Sequence, residues 1–236
     1  MLVGKIFRIL GIVAVVGVLG YGIYAATRPV PISDKVWDER TTIGSMEAKN
    51  YYVVYTDMVC PYCVAFEHTV VENEEEFKQF LADNDILYEV KVTEFLYEAG
   101  QNNPINSRYS AEALYCAKNL GKFWDYYNKA TKTIWDNFFA IYGYNAYSIV
   151  NQLDKNYWIN LGADLGLGED FAKCVNEDES LAEVVENTHK ALVTMDKEGQ
   201  NGMPYMKFNR HKPNGFSMAG TWQDAKKQLD LGLKSR

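Results

Sequence analysis

The stretch Asp57–Phe66, "DMVCPYCVAF", places two cysteines, Cys60 and Cys63, on either side of a proline and a tyrosine. The run Tyr51–Tyr55 before it is β-branched and aromatic, which predicts a central strand covered on both faces. The residues after it have helical spacing, and Pro61 falls at the first helical position, where its missing N–H matters least. The sequence therefore predicts that the cysteine pair lies where a buried strand is followed by a helix.

A cysteine directly before a helix lies in the field of the unpaired N–H groups of the first turn, which stabilises a thiolate. Cys60 has this position, and Cys63 follows on the same helix face, close enough to form a small-ring disulfide. In such a pair the exposed first thiolate attacks a disulfide, and the inner cysteine resolves the mixed disulfide. We therefore predict that the pair performs redox chemistry.

The same helix carries an acidic residue, Glu67, on the face that Cys63 shares with Phe66 and Val70. This pattern predicts that Glu67 points inward, one turn beneath Cys63, where burial would raise its pKa and allow proton exchange with the thiol. A buried charge needs a partner, and we expect Glu89 or Lys91 on the next strand to face it. A rotated helix with a solvated Glu67 fits the pattern equally well.

The order of predicted elements describes an α/β fold with a long insertion. Ile86–Phe95 alternates and predicts a second strand, which completes a right-handed βαβ unit. The chain from Pro104 to about Gly199 has helical periodicity. The stretches "GMPYMKFN" and "FSMAG" then predict two more strands, and "TWQDAKKQLDLGL" predicts a closing helix with Thr221 as its N-cap.

Met203 and Pro204 open the third predicted strand. A trans proline would disturb the hydrogen-bond ladder there. A cis bond would instead leave the Met203 backbone free to pair with an extended peptide beside Cys60.

The first 26 residues differ in composition from the rest of the chain. Ile9–Ala26 is free of charge and near the lower length limit for crossing a bilayer, and it follows two cations, Lys5 and Arg8. Large side chains before Ala25 make a poor cleavage site, which favours an uncleaved membrane anchor over a cleaved secretory signal. Either alternative keeps the cations in the cytoplasm and exports the body of the protein. The formal net charge of −7 argues against a nucleic-acid-binding surface.

The remaining cysteines, Cys116 and Cys174, both fall in the helical region. They could form a second catalytic or regulatory pair, a structural disulfide, or two buried thiols. We favour a structural disulfide, because the surroundings are apolar and each cysteine stands alone. In the chain-entropy model, closing a loop of this length stabilises the folded protein by roughly 4 kcal/mol. Metal binding is disfavoured because structural zinc usually uses two close ligand pairs.

Several stretches of the chain are similar to DsbA-like thiol–disulfide oxidoreductases, which have a thioredoxin fold with a helical insertion. The similarity extends over Thr41–Leu231 and depends on "TIGSMEAKNYYVVYTDMVCPYC", "ALYCAKNLGKFWDYYNKA", "LGADLGLGEDFAKCV", "GMPYMKF" and "AGTW". The resemblance implies that Cys60 is the nucleophile, Cys63 the resolving cysteine and Pro204 the cis-proline. It also implies that Glu67 occupies the place of the family's buried acid, and that no organic cofactor is needed.

With this resemblance, four parts of the chain can be bounded. We expect a cytoplasmic start and transmembrane anchor at 1–28 and a linker at 29–40. The thioredoxin-fold domain would comprise 41–103 and 199–236, and the inserted helical subdomain 104–198.

Two residues next to the predicted site depart from the family pattern. Tyr62 stands where the best-known members have a histidine that helps to stabilise the thiolate, so the pair should be less oxidising. Met203 stands where valine or threonine is more usual and brings a bulky apolar group to the sulfurs. Pro61, Tyr62 and Met203 are the predicted substrate-contacting residues.

The sequence thus predicts a single-pass membrane protein with an extracytoplasmic catalytic domain that oxidises dithiols in unfolded or reduced exported proteins. A cleaved, periplasmic or secreted form is the alternative location. The resemblance implies a membrane redox partner that reoxidises the enzyme, and the lack of a separate dimerisation domain favours a monomer. A reductase or isomerase with the same pair is the alternative function. A non-enzymatic, anchored chaperone or peptide-binding module is the alternative from another class.

Overall fold

A computed structural model describes residues 37–99, 104–200, 202–209 and 221–234. The predicted anchor, most of the predicted linker and the predicted strand "FSMAG" lie outside these residues. Within the described ranges, no helix combines the length and the apolar composition needed to cross a bilayer.

One sheet of four strands is formed within the described residues. Its strands are β1 (Thr42–Ile43), β2 (Asn50–Thr56), β3 (Ile86–Val92) and β4 (Tyr205–Phe208), in the order β1-β3-β2-β4. β2 runs parallel to β3 and antiparallel to β4, while β1 pairs antiparallel with the far side of β3. The strand that precedes the cysteine pair is therefore central and largely buried, as its apolar composition predicts.

Two helices connect β2 to β3. α1 (Pro61–Glu72) ends at Asn73, and α2 (Glu74–Asp83) begins directly after it. The acidic side chains Glu74, Glu75 and Glu76 occupy the first turn of α2, where negative charge is stabilised by the helix dipole. The helical pattern is therefore broken at Asn73.

β3 differs from its prediction in length and in burial. It ends at Val92, three residues before the predicted boundary, and nearly all of its side chains are buried rather than alternating with solvent-exposed ones. Both faces are covered: Tyr88 and Val90 lie in the main core, and Leu87 lies in a separate apolar cluster with Ala48 and Tyr51.

Helices fill the chain between β3 and β4. They are α3 (Phe95–Ala99), α4 (Ile105–Asn119), α5 (Phe123–Ile134), α6 (Ala140–Tyr142), α7 (Ala146–Val150), α8 (Lys155–Ala163), α9 (Gly168–Asn176) and α10 (Leu181–Lys197). A π-helical segment, Trp135–Phe139, joins α5 to α6.

The helical region is divided at Gly121 and again after Val150. α4 and α5 are separated at Gly121, whose φ of +69° suits the left-handed end of a helix. α7 ends at Val150, and α8 begins after its N-cap, Asp154, whose carboxylate accepts a bond from the Tyr157 N–H.

α11 (Trp222–Lys234) closes the described chain. The Asp224 N–H donates to Thr221 Oγ1 at 3.2 Å, which confirms Thr221 as the N-cap. Further along the helix, a Cβ added at Gly232 would lie 1.9 Å from the Tyr52 hydroxyl oxygen, so only glycine allows this close approach to β2.

The main core is formed by one face of the sheet, α1 and the inserted helices. A second, smaller apolar cluster surrounds the cysteine pair beside the start of β4. It consists of Cys60, Cys63, Ala191, Met195, Met203 and Tyr205. The fold thereby brings α1, α10 and the segment before β4 together around two sulfur atoms.

Candidate active site

Cys60 is the N-cap residue of α1. Its backbone is extended (φ −77°, ψ 122°), its carbonyl accepts the first helical bond from the Val64 N–H at 2.9 Å, and Pro61 occupies the first helical position. Its side chain makes no capping hydrogen bond. The Cys60 sulfur is therefore placed at the positive end of the helix, as the sequence predicts.

The two free cysteines of the described chain are both buried. Cys60 is 5% exposed and Cys63 is fully covered. The expectation of an exposed Cys60 is therefore wrong, because Met203, Tyr205 and Met195 pack around the pair. Tyr62, between the cysteines, is 42% exposed and marks the side from which the pair meets solvent.

Cys63 is the cysteine that retains its proton. Burial raises the pKa of the Cys63 thiol well above its ordinary value, and a hydrogen bond and charge from Cys60 and the charge of Asp57 raise it further. Cys60, by contrast, lies at the N-cap of α1, beside the unpaired N–H groups of the first turn. This asymmetry matches the division into nucleophile and resolving cysteine.

Met203 and Pro204 lie directly beside Cys60. The Met203–Pro204 peptide bond is cis, as the sequence predicts. The Cys60 sulfur is 4.0 Å from the Met203 carbonyl oxygen, and the Met203 side chain is buried in the cluster around both cysteines. The fold thus brings Met203 and Pro204, which are distant from Cys60 in the chain, next to the Cys60 sulfur.

Glu67 points inward, which confirms one of the two orientations considered, and its side chain is 1% exposed. Burial raises the pKa of its carboxyl to about 7, while the nearby hydroxyls of Tyr127 and Thr56 act in the opposite direction. Within the described part of the chain, neither carboxyl oxygen has a hydrogen bond of regular geometry. The Glu67 environment therefore favours the neutral acid.

The prediction that Glu89 or Lys91 faces Glu67 is wrong. Glu89 and Lys91 pair with each other at 2.9 Å on β3. Residues of a strand alternate between the two faces of a sheet, and Tyr88 and Val90 are the β3 residues on the core face with α1. Glu89 and Lys91 therefore project to the opposite face.

Asp57 is a site residue that the sequence analysis does not identify. It is fully buried and accepts three hydrogen bonds, from the Val59 N–H at 3.0 Å, the Leu96 N–H at 2.9 Å and the Ser107 hydroxyl at 2.6 Å. Burial nevertheless raises its pKa to about 6. The sequence feature that could have identified it is an acidic residue at the end of a buried strand, three positions before Cys60.

A second carboxylate, Glu94, lies close to Asp57 and is paired with Arg108. The Arg108 Nε contacts one Glu94 oxygen, and its Nη2 lies 3.0 Å from the other. This bidentate pair joins the end of β3 to α4, so the helical insertion is fixed to the sheet next to the cysteine pair.

An aromatic pair lies at the rim of the site. The rings of Tyr62 and Tyr144 are 5.6 Å apart in an edge-on arrangement, and both side chains are largely exposed. A hydrogen bond between their hydroxyls raises the pKa of Tyr144 to about 12. The insertion therefore contributes an aromatic side chain directly beside the dipeptide between the cysteines.

Cys116 and Cys174 form a disulfide between α4 and α9, with their Cα atoms 5.8 Å apart. Both residues are buried, and the Glu112 carboxyl and the Ser180 hydroxyl lie against their sulfurs. The favoured pairing is thus present, within the insertion and apart from the Cys60–Cys63 cluster.

The family model described as thioredoxin matches residues 37–230. Among solved structures, the chain is similar to MdbA, a thiol–disulfide oxidoreductase from Corynebacterium diphtheriae, with 15% identity, a TM-score of 0.59 and coverage of 88% of this chain and 98% of that one. It is also similar to α-DsbA1 from Wolbachia pipientis, with 14% identity, a TM-score of 0.54 and coverage of 87% and 95%.

A thioredoxin-like oxidoreductase from Silicibacter pomeroyi DSS-3 has 16% identity to the chain and a TM-score of 0.53, with coverage of 84% and 95%. No curated protein matches the sequence. These likenesses show that the chain has the DsbA-like form of the thioredoxin fold.

Proposed function

This chain belongs to the thioredoxin family, and we propose that it is a thiol–disulfide oxidoreductase that introduces disulfides into exported proteins. The observation that carries the proposal is the asymmetry of its cysteine pair. Cys60 lies at the start of α1, and the buried Cys63 behind it has a strongly raised pKa. The sulfur at the helix start is thereby suited to attack and to be attacked, and the inner sulfur leaves as a thiol once it receives a proton.

The proposed reaction begins with a disulfide between Cys60 and Cys63. A client thiolate attacks the Cys60 sulfur, the Cys60–Cys63 bond breaks, and Cys63 receives the electron pair and a proton. A second client thiolate then attacks the client sulfur of the mixed disulfide and displaces Cys60 as a thiolate. The client has lost two electrons and gained a disulfide, and the enzyme is left as a dithiol that a redox partner must reoxidise.

The surroundings of Cys60 suit an extended, apolar client segment. The Met203 backbone faces the sulfur and can pair with a client as an added strand, while Met203, Pro61 and the Tyr62–Tyr144 pair supply apolar contacts. Three residues of the insertion, Ile141, Tyr142 and Tyr144, are all strongly exposed.

The proposed location is the extracytoplasmic side of a membrane, with the N-terminal segment as an anchor or as a cleaved signal. The uncharged run Ile9–Ala26 after Lys5 and Arg8 supports this proposal. The proposed redox partner is a membrane protein on the same side.

The proposal is tested with the oxidised full-length protein and a synthetic dithiol peptide. We expect the wild type to oxidise the peptide, and Cys60→Ser and Cys63→Ser to abolish turnover. Full oxidation by Cys60→Ser would contradict the proposal. A non-enzymatic chaperone would instead suppress client aggregation equally well in both cysteine variants and in the wild type.

The direction of electron flow is tested by equilibrating the pair with glutathione buffers. An oxidase should have a reduction potential nearer to ~−120 mV than to ~−270 mV, because its reduced form is stabilised. A value near ~−270 mV would assign the protein to the reductases.

A further inference from the structure

A buried carboxyl lies against the Cys116–Cys174 disulfide of the insertion. Glu112 lies one helical turn before Cys116 on α4, and its Oε1 atom is 3.6 Å from the Cys116 sulfur. Glu112 and Cys116 are fully covered, and Cys174 is only slightly exposed. Burying a carboxyl costs free energy unless the group is compensated, and a disulfide offers it little compensation.

One Glu112 oxygen is held in place, and the other is available to a ligand. The Ser180 backbone N–H donates to Oε1 at 2.7 Å and so orients the carboxyl. The Oε2 atom is buried and, within the described part of the chain, has no hydrogen-bond partner. The Ser180 hydroxyl lies 3.8 Å from the Cys116 sulfur and 3.7 Å from the Cys174 sulfur. Oxygen atoms from α4 and from the N-cap of α10 therefore face both sulfurs.

The spacing of these atoms matches a tetrahedral metal site. One Glu112 carboxyl oxygen and the sulfurs of Cys116 and Cys174 all lie within 4.8 Å of one another. Zinc–sulfur bonds of ~2.3 Å and zinc–oxygen bonds of ~2.1 Å place tetrahedral ligand atoms roughly 3.6–3.8 Å apart. The 3.6 Å between Glu112 Oε1 and the Cys116 sulfur fits this range. Since thiolates and not disulfides ligate metals, the site requires the reduced pair.

We propose that the reduced pair binds a divalent cation, with the Cys116 and Cys174 thiolates and the Glu112 carboxylate as its three protein ligands. This ligand set suits Zn²⁺, which accepts sulfur and oxygen together, better than Mg²⁺ or Ca²⁺, which bind oxygen. A water beside the Ser180 hydroxyl would complete the four ligands. The pair would then have two states, a disulfide under oxidising conditions and a zinc site under reducing ones.

The change between these states balances with a small dithiol as the reductant. The dithiol gives two electrons and two protons to the Cys116–Cys174 bond and becomes a disulfide, while two thiols form in the protein. Binding of Zn²⁺ then releases both thiol protons to solvent. Two thiolates and the Glu112 carboxylate leave one negative charge beside the metal, and the positive charge of Lys155 on α8 acts on Glu112.

The sequence analysis disfavours a metal because Cys116 and Cys174 each stand alone. The structure supplies the missing close pair, since Glu112 and Cys116 are four residues apart and share one face of α4. The third ligand comes from α9, which the fold packs against α4 at the disulfide.

The test uses the full-length protein with Cys60→Ser and Cys63→Ser, so that Cys116 and Cys174 are its only cysteines. The protein is reduced with a dithiol, the dithiol is removed under anaerobic conditions, and Zn²⁺ affinity is measured by competition with a chromogenic chelator. We expect one Zn²⁺ per reduced chain and none per oxidised chain. Co²⁺ in place of Zn²⁺ should give the near-ultraviolet absorption of a cobalt–thiolate bond.

Glu112→Gln in this background should weaken Zn²⁺ binding by more than ~100-fold, because losing a ligand should exceed the ~10–100-fold effect of losing an outer partner. Asp178→Asn is the matched control. It removes an acid whose charge also acts on Glu112 and which pairs with Lys155 at 2.6 Å, but which is not among the three ligands. Its Zn²⁺ affinity should stay close to that of the parent protein.

Equal Zn²⁺ affinity in Glu112→Gln and its parent would overturn the proposed site. Equal affinity of the oxidised and reduced forms would reveal an adventitious ion only and would overturn it as well. If the reduced protein is unfolded without metal, Zn²⁺ should restore its helical circular dichroism, and a failure to do so contradicts the proposal. Dithiol oxidation by the Cys60–Cys63 pair is measured separately in the wild type, so loss of the zinc site leaves the proposed function standing.

Discussion

The sulfur of Cys60 lies 4.0 Å from the backbone carbonyl oxygen of Met203. Met203 is 6% exposed and packs against both cysteines, so the segment before β4 covers the sulfur at the helix start. In the proposed reaction, a client would therefore approach Cys60 along the Met203 backbone, on the side where Tyr62 is exposed. Access to the Cys60 sulfur is therefore limited by this contact.

Shortening Met203 should uncover Cys60. We expect Met203→Ala to accelerate alkylation of Cys60 by iodoacetamide several-fold, measured by peptide mapping of the full-length protein. The loss of a buried side chain should also lower the free energy of unfolding by ~2–5 kcal/mol. Met46→Ala is the control, because Met46 is 37% exposed and should affect neither quantity strongly. An unchanged Cys60 alkylation rate in Met203→Ala would show that Met203 does not limit access.

Replacing Tyr62 with histidine should make the pair more oxidising. An imidazolium beside Cys60 stabilises the thiolate, and therefore the reduced form, in a way that a neutral phenol cannot. We expect Tyr62→His to raise the reduction potential by at least ~30 mV, equivalent to ~1.4 kcal/mol. Tyr62→Phe keeps a neutral aromatic ring at this position, so its reduction potential should stay closer to that of the wild type. A potential that falls in Tyr62→His would contradict this explanation of the departure from the family.

Removing the Cys116–Cys174 disulfide should cost stability rather than activity. The bond closes a loop with a sequence separation of 58 residues inside the insertion. We expect the double variant Cys116→Ala and Cys174→Ala to lose ~4 kcal/mol in denaturant unfolding, while the oxidised Cys60–Cys63 pair still oxidises a dithiol peptide. A parallel loss of peptide oxidation in a folded double variant would point to a redox role for the second pair.

Glu67 should make folding stability depend on pH. Its pKa is raised from 4.5 to about 7 in the folded protein, so the unfolded chain releases the proton first. The stabilisation is fully present below pH 4.5 and is lost as pH rises to about 7, with a total of ~3 kcal/mol.

Glu67→Gln cannot ionise and lacks this dependence. The free energy of unfolding of Glu67→Gln, relative to that of the wild type, should therefore be higher at pH 7.5 than at pH 4.5 by ~3 kcal/mol, measured by urea unfolding at both pH values. Equal pH dependence in the two proteins would show that Glu67 is ionised in the folded state.

The parts of the fold that the sequence predicts are those with strong local signals. The apolar run of β2, the placement of Pro61 and the Thr221 cap are each specified by neighbouring residues. Pro204 identifies the segment before β4 because proline is excluded from the interior of a central strand and confined to strand starts and edges. The inward direction of Glu67 was one of two orientations that its neighbours on the helix allow.

The parts that the sequence does not predict depend on distant contacts. Asp57 looks like a turn residue until α3 and α4 bring the Leu96 N–H and the Ser107 hydroxyl to it. Lys118 looks like a solvated residue of α4, yet it is 1% exposed and pairs with Asp38 and Glu183 from two other segments. Local periodicity contains no information about such partners.

The most direct measurement of the central claim is the trapping of a mixed disulfide. Cys63→Ser, in the full-length protein, is mixed with a client peptide that carries an activated disulfide, and the adduct is located by mass spectrometry. A single adduct on Cys60, formed rapidly at pH 7, is the result that the proposed mechanism predicts. A Cys60 that stays unmodified under these conditions would contradict the mechanism.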